Sequence, residues 1–155
     1  MRGIWRKERL KGCLEGPSDC TPGWNSRKNI YDNLGGKNIL LLRGNLGSGK
    51  TTFVRNFCEI LDIQNQVSSP SFLILNTYID NNKKEYHHFD FYRVEDELEL
   101  DYIGFHHIIE NSTDLIFIEW PDKFLNIIKK YNHRTINIYF NFIEDNINVR
   151  EVQIS

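Results

Sequence analysis

The residues best suited to chemistry lie in one stretch, residues 44–51, which reads GNLGSGKT. This stretch fits the phosphate-loop pattern G-x-x-x-x-G-K-[ST] at every fixed position. In that pattern, backbone N–H groups cradle phosphate oxygens, Lys50 binds the β- and γ-phosphates, and the Thr51 hydroxyl is a Mg²⁺ ligand. The predicted nucleotide-binding residues are Gly44, Asn45, Leu46, Gly47, Ser48, Gly49, Lys50, Thr51 and Thr52.

The flanking residues predict the elements that hold this loop. Residues 39–42 are an uninterrupted apolar run, which predicts a buried strand. Residues 52–61 predict a helix, because Phe53 and Phe57 fall on one apolar face at helical spacing. A helix that begins at the loop directs its N–H groups and its positive dipole end toward the phosphates. This context argues against a chance glycine-rich turn.

Two carboxylates are candidates for the catalytic and metal chemistry. Glu119 follows the apolar run 115–118, and an acid at such a strand end reaches Mg²⁺ or its waters in phosphate-loop proteins. Asp90 lies in a predicted strand, where Asp is disfavoured, and strand alternation places it on one face with His88. The alternative for Glu119 is a carboxylate that only begins a loop. The alternative for Asp90 is an ordinary surface residue of a strand, and Lys50, Asp90 and Glu119 are at this point the candidate catalytic residues.

A loop rich in hydroxyls precedes these carboxylates along the chain. Ser68, Ser69 and Ser71 surround Pro70, which favours a rigid loop over a helix. Their hydroxyls could sense Mg²⁺ or the γ-phosphate in a switch loop, although ordinary turn chemistry explains the same spacing.

The remaining pattern predicts a mixed α/β fold. Two strand-like runs, 73–79 and 85–92, flank a polar turn and predict a hairpin, and residues 95–109 predict a helix interrupted at Gly104. Residues 122–130 predict a further helix. Alternation over residues 135–140 and 149–154 then predicts a terminal antiparallel hairpin. With the phosphate loop, this indicates a three-layer α/β sandwich like that of P-loop NTPases.

Bulk composition excludes several classes of protein. The chain has 155 residues, 40% of them hydrophobic and 26% charged, which is ordinary for one soluble domain. A net charge of −2 argues against strong direct binding to nucleic acid, and no apolar run reaches the ~20 residues of a membrane span. Three cysteines without C-x-x-C spacing fit a reducing cytoplasm.

The first residues differ in composition from the rest. Residues 1–24 contain two of the three cysteines and two of the three tryptophans, and no periodic pattern predicts a packed element there. We therefore expect residues 1–24 to be a disordered or non-domain segment and residues 25–155 to form the P-loop domain. A short helix is predicted over residues 25–34.

Four motifs together resemble the TsaE (YjeE) family, the ATPase component of bacterial tRNA threonylcarbamoyladenosine biosynthesis. The resemblance runs from about Gly36 to Lys123. Its landmarks, in matching order and spacing, are GNLGSGKTTFVR from residue 44, SPSF from residue 69, HFDFYR from residue 88 and IEWP from residue 118.

The resemblance implies a Mg²⁺-dependent ATPase with specific residue roles. Thr51 and Glu119 would be at the metal site, and Asp90 would be a catalytic or metal-linked acid near the γ-phosphate. Ser71 stands where the family has Thr and would be a further ligand. Trp120 would pack beside the nucleotide.

The resemblance also implies partners. Arg93 would orient Asp90 or serve a partner interface, and the working complex would contain TsaD-like and TsaB-like subunits. Two other functions remain open at this stage. One is a small-molecule kinase, although the arginines after Arg55 are too scattered to show a lid. The other is a nucleotide-gated binding module with negligible turnover.

Overall fold

A seven-stranded mixed sheet runs through the computed structural model, which describes residues 2–6, 34–63, 67–143 and 146–155. The strands are β1 (Arg2–Arg6), β2 (Ile39–Arg43), β3 (Leu75–Ile79), β4 (Glu85–Asp90), β5 (Ile116–Glu119), β6 (Thr135–Ile143) and β7 (Asn146–Ile154). Within those ranges the α-helices are α1 (Lys50–Ile60), α2 (Glu97–Tyr102), α3 (Phe105–Asn111) and α4 (Leu125–Ile128). None of these helices is long and apolar enough to cross a membrane.

The strand order is β1-β7-β6-β2-β5-β4-β3. The four central strands, β6, β2, β5 and β4, pair in parallel, and the outer strands pair antiparallel. The last two strands form the predicted terminal hairpin, and β3 with β4 forms the predicted first hairpin. The mixed α/β sheet expected from the sequence is therefore confirmed.

Alternate residues of β2 face two separate hydrophobic cores. Leu40 and Leu42 pack in a cluster with Phe53 and Phe57 of α1. Ile39 and Leu41 pack in a second cluster on the opposite face, which contains residues of α2, α3 and α4. Because both faces are covered, the central strand is apolar at every position from 39 to 42 rather than alternating. The sheet is the middle one of three layers.

The parallel register brings three segments that carry candidate site residues to the same end of the central strands. Leu42, near the end of β2, pairs with Glu119, the last residue of β5. Asp90, the last residue of β4, pairs with Glu119 from the other side. The carboxyl ends of parallel strands lie on the same side of the sheet, and ligands of open α/β sheets bind just beyond those carboxyl ends. The loop that follows β2 lies there too.

The expectation for the N-terminal segment needs correction at residues 2–6. Arg2–Arg6 forms an edge strand that pairs antiparallel with β7, from Gln153 to Val149. An edge strand can be held by backbone hydrogen bonds to one neighbour and needs no apolar periodicity, so its sequence carries little signal. The rest of residues 1–24 and the helix predicted before Leu34 lie outside the described residues, and the division at residue 24 stays a prediction.

Three other boundaries differ from or sharpen the expectations. The first hairpin strand begins at Leu75 rather than Leu73, because Ile74 has φ of 65° and its N–H bonds to the Pro70 carbonyl. The predicted helix over 122–130 is broken into a 3₁₀ turn (Pro121–Phe124), α4 and a second 3₁₀ segment (Lys129–Arg134). The predicted interruption at Gly104 is confirmed, since its φ of 71° separates α2 from α3.

We expect the chain lacking residues 1–24 to fold. Both hydrophobic clusters are built from residues 34 onward among those described, and β1 contributes pairing at one edge of the sheet. The thermal midpoint should fall by less than about 5 °C, a cost of one or two kcal/mol for a domain of this size. Circular dichroism melting of the full and shortened chains measures this. Loss of the cooperative transition would show that the N-terminal residues belong to the core.

Candidate active site beyond the parallel strands

The loop between β2 and α1 adopts conformations that glycine permits. Gly44 has φ of 150° and Gly49, which precedes α1, has φ of 102°. A Cβ atom on Gly44 would lie 2.7 Å from the Phe140 carbonyl oxygen and 2.8 Å from the Ser48 hydroxyl oxygen. Such separations are shorter than packed atoms tolerate, so a larger residue at position 44 would have to displace its neighbours. The loop is thereby held close against β6.

The Lys50 ammonium group folds back over the loop. Its Nζ donates hydrogen bonds to the carbonyl oxygens of Gly44, at 2.8 Å, and Asn45, at 3.0 Å. The same nitrogen lies 4.1 Å from the centre of a Trp120 ring, close enough for a cation–π interaction. Burial lowers the pKa of Lys50, and the charges of Glu119 and Asp90 oppose that shift. The lysine is placed to exchange backbone carbonyls for phosphate oxygens.

Thr51 and Glu119 meet across the sheet edge. The Thr51 hydroxyl donates a hydrogen bond of 2.7 Å to Glu119 Oε1, and Glu119 is 3% exposed. A hydroxyl oxygen and a carboxylate oxygen at this separation are hard donors of the kind that Mg²⁺ prefers. Mg²⁺ usually takes one or two protein ligands and keeps several waters, so the cavity beside this pair suits it.

Asp90 is held by the loop that precedes β3. The hydroxyls of Ser69 and Ser71 donate to Asp90 Oδ2 at 2.7 Å and 2.6 Å. The backbone N–H of Tyr92 donates to the other oxygen, Oδ1, at 2.9 Å. Sequence spacing alone favoured ordinary turn chemistry for these serines, whereas the structure joins two of them directly to a predicted catalytic carboxylate. Ser68 is not part of that contact.

One cavity of about 290 Å³ gathers most of the predicted site. Its lining residues are Leu46, Gly47, Gly49, Lys50, Thr51, Thr52, Ser69, Ser71, Asp90, Tyr92, Glu119 and Trp120. Three of the predicted nucleotide-binding residues, Gly44, Asn45 and Ser48, are not among the lining residues, and the carbonyls of Gly44 and Asn45 contact the lining residue Lys50. Arg93 is not among the lining residues, and its guanidinium lies 4.1 Å from the centre of the exposed Phe72 ring.

Sequence reasoning gave no role to Tyr92, which lines this cavity, or to Lys123, which holds the backbone beside it. Tyr92 packs on Trp120 with ring centres 5.0 Å apart. Lys123 Nζ donates to the backbone carbonyls of Tyr92, at 2.5 Å, and Val94, at 3.0 Å, and so ties the segment after β4 to the segment after β5. These contacts join residues about thirty positions apart, so no local spacing could have indicated them.

Comparison with known families matches residues 24–151 to the family described as "Threonylcarbamoyl adenosine biosynthesis protein TsaE". A "tRNA threonylcarbamoyladenosine biosynthesis protein TsaE" from Borreliella burgdorferi is 38% identical over 92 residues, covering 59% of this chain and 66% of that protein. The protein of the same description from Haemophilus influenzae is 35% identical over 85 residues, covering 55% of this chain and 52% of that protein. In both cases the chain spans less than two thirds of the relative's own length.

A solved structure supports the fold. The crystal structure of Bacillus subtilis YdiB aligns with a TM-score of 0.59 and 22% identity, covering 99% of this chain and 84% of that chain. The match extends over both the parallel centre and the antiparallel edges of the sheet. The expected P-loop NTPase-like fold is confirmed, and the family resemblance seen in the four motifs is confirmed by the family match.

We expect the Gly44→Ala variant to lose stability and nucleotide affinity together. The added methyl group must displace the Phe140 backbone, at a cost of about 1–3 kcal/mol, and the displaced loop should bind a fluorescent ATP analogue at least about tenfold more weakly. Urea unfolding and fluorescence titration measure the two effects.

The matched control is Gly36→Ala. Gly36 also has positive φ, of 79°, but a Cβ there meets nothing within 4 Å. The free energy of unfolding of this variant should fall only by the conformational strain, about 1 kcal/mol, and its affinity for the analogue should be unchanged. Equal nucleotide affinity in the two variants would contradict the proposed close packing of the loop.

Proposed function

The chain belongs to the TsaE family of threonylcarbamoyl adenosine biosynthesis proteins, and we propose that it is a Mg²⁺-dependent ATPase that supports threonylcarbamoyladenosine formation in tRNA. One observation carries the proposal. The hydroxyl of Thr51, the last residue of the phosphate loop, lies 2.7 Å from the Glu119 carboxylate. The end of the phosphate loop is therefore in contact with a carboxylate that could bind a metal ion, as Mg·ATP chemistry requires.

Lys50 and the loop backbone would hold the triphosphate. The N–H groups of residues 44–51 and the beginning of α1 offer donors and partial positive charge to phosphate oxygens. Lys50 Nζ, now bonded to the Gly44 and Asn45 carbonyls, would turn toward the β- and γ-phosphates. Its buried position strengthens that attraction, because the local dielectric constant is lower than in water.

Thr51 and Glu119 would hold the metal ion, with Ser71 and Asp90 as further candidates. When bound, Mg²⁺ neutralises charge that develops on the β- and γ-phosphate oxygens. The Thr51 hydroxyl and the Glu119 carboxylate would coordinate the ion directly or through its waters. Since the pair is already in contact, binding requires a small separation of two oxygens rather than a rearrangement of the sheet.

Asp90 would orient the attacking water or accept its proton. Its Oδ2 accepts hydrogen bonds from Ser69 and Ser71 in this structure. A water or metal-bound ligand would compete for the same oxygen, so the serine loop is expected to rearrange in the nucleotide complex. That rearrangement would pass the nucleotide state to the exposed Phe72 and Leu73, which follow Ser71 along the chain.

Hydrolysis would serve a complex rather than a second substrate bound by this chain. We propose TsaD-like and TsaB-like subunits as the partners that perform the threonylcarbamoyl transfer, with this subunit driving or resetting them in the cytoplasm. The arrangement of arginines supports this reading over a small-molecule kinase. Arg134 is engaged by Asn38, Ile109 and Ser112, and neither Arg134 nor Arg93 is among the residues that line the cavity, so neither is placed to clamp a transferred phosphoryl group in this structure.

The nucleotide-gated binding module remains the second candidate, because the Ser69 and Ser71 contacts to Asp90 support a switch loop. Phosphate release by the purified chain, alone and with TsaD-like and TsaB-like subunits, separates the two. An ATPase of this family should hydrolyse ATP faster with its partners. Tight binding of ATP without turnover under either condition would favour the binding module, and turnover that needs a small-molecule acceptor would favour a kinase.

The Lys50→Ala variant should lose nucleotide binding. Removing a charge-assisted donor to phosphate costs about 1.5–3 kcal/mol, which corresponds to about 10- to 150-fold weaker binding. Fluorescence titration with an ATP analogue measures the loss, and circular dichroism checks the fold. Affinity equal to that of the unchanged protein would rule out the assigned role of the lysine.

The Glu119→Gln variant should lose hydrolysis to a greater extent than nucleotide binding. Glutamine preserves the size and one oxygen but removes the charge at the metal site, so turnover should fall by about a hundredfold or more. Asp122→Asn is the matched control, since Asp122 is an acid only three residues after Glu119. The Asp122 side chain is 61% exposed and forms an ion pair with Arg43. Equal loss in the two variants would contradict a specific role for Glu119.

A further inference from the structure

His88 is a fully buried polar side chain to which the function proposed above gives no role. It lies on β4, two residues before Asp90, and pairs in register with Phe117 on β5. Its Nε2 is 2.9 Å from Glu119 Oε1, and both side chains are almost completely inaccessible to solvent. An ionised carboxylate can only accept hydrogen bonds, so in a hydrogen bond to the Glu119 carboxylate Nε2 is the donor.

The two oxygens of the Glu119 carboxylate differ in their hydrogen bonds. Oε1 accepts hydrogen bonds from His88 Nε2 and from the Thr51 hydroxyl. Among the described residues, these two hydrogen bonds to the carboxylate are both accepted by Oε1. Two donors on one oxygen prevent the carboxylate from rotating. The second oxygen, Oε2, is thereby held in a defined direction, and Glu119 is one of the residues that line the cavity.

The other ring nitrogen of His88 extends this arrangement to the serine loop. The Tyr78 hydroxyl lies 3.3 Å from His88 Nδ1 and 3.2 Å from the carbonyl oxygen of Ser68. Ser69, the next residue, donates to Asp90. Hydrogen bonds and one peptide step thus connect the two predicted catalytic carboxylates, through the buried Tyr78 and His88 and then through the exposed Ser68 and Ser69.

We propose that His88 is a positioning residue, which holds the Glu119 carboxylate in the orientation that receives Mg²⁺ when ATP is bound. It acts through Glu119 and does not touch the nucleotide or the metal. The inference rests on the proposed function, because it assigns the support of that metal site. Hydrogen-bonded partners of ligating carboxylates typically set metal affinity by about 10- to 100-fold.

A purely structural histidine is the alternative, and the chain offers a comparison. His87 is the preceding residue and is 7% exposed, so it is nearly as buried. Its Nδ1 contacts the Thr77 hydroxyl at 3.1 Å on the neighbouring β3, away from Glu119. Replacing either histidine removes a buried ring from the same strand, whereas only one replacement removes a donor from Glu119.

The test compares His88→Leu, His88→Gln and His87→Leu with the unchanged chain. Leucine removes both ring nitrogens, and glutamine restores an N–H donor near the position of Nε2. Binding of a fluorescent ATP analogue is titrated first in EDTA and then across a range of Mg²⁺ concentrations. The measured quantity is the Mg²⁺ concentration that gives half of the Mg²⁺-dependent change in nucleotide affinity, and thermal melting checks that each variant folds.

In His88→Leu we expect affinity in EDTA to stay within about twofold and the half-effective Mg²⁺ concentration to rise about tenfold or more. His88→Gln should recover to within about threefold, and His87→Leu should match the unchanged chain. If His88→Leu fails to fold, His88→Asn replaces it. The asparagine side chain is one carbon shorter than that of glutamine, so its amide does not reach Glu119.

Three results would overturn the proposal. The first is an unchanged half-effective Mg²⁺ concentration in His88→Leu, or in His88→Asn if that variant replaces it. The second is an equal rise of this concentration in His87→Leu. The third is a concentration in His88→Gln that stays as high as in His88→Leu. Failure of the proposed function would look different. In that case the unchanged chain itself would bind the ATP analogue without any dependence on Mg²⁺, or would not bind it at all.

Discussion

The parallel pairing of β2, β5 and β4 is the constraint on which the candidate site depends. Register brings Glu119 level with Leu42 on one side and with Asp90 on the other. The phosphate loop leaves the sheet one residue beyond β2, so three segments distant in sequence end at the same edge. A shift of one residue in either pairing would turn a carboxylate to the opposite face, since side chains alternate along a strand. Hydrophobic burial on both faces prevents that shift.

The same packing explains how the site tolerates buried charge. Lys50, Asp90 and Glu119 are each at most 5% exposed. Buried ions are costly unless hydrogen bonds and opposite charges compensate them. Here backbone carbonyls and an indole ring surround the ammonium, and hydroxyls or N–H groups reach both carboxylates. Each of the three buried charged groups is therefore compensated by protein groups in this structure, and the proposed ligands would exchange with those contacts.

Much of this arrangement could be predicted from local sequence. The phosphate loop, its strand and its helix form a contiguous pattern, and the apolar run before Glu119 indicates a strand buried on both faces. The helix break at Gly104 and the terminal hairpin likewise follow from local signals. The edge strand Arg2–Arg6 could not be predicted, because its pairing partner lies more than 140 residues away and its side-chain pattern is not periodic. The broken helix after Pro121 depends on packing that competes with local propensity.

The sequence by itself determined the chemistry available to this protein, because residue types and short spacings specify a phosphate loop, its helix and the acids at the strand ends. Only the tertiary structure decided which groups meet. It joined Ser69 and Ser71 to Asp90, placed Trp120 over Lys50, and gave Glu119 a buried histidine partner. Those contacts depend on strand order and register, which arise from packing across the whole sheet. A linear pattern can list the groups of a site, but the distances between them are set by the fold.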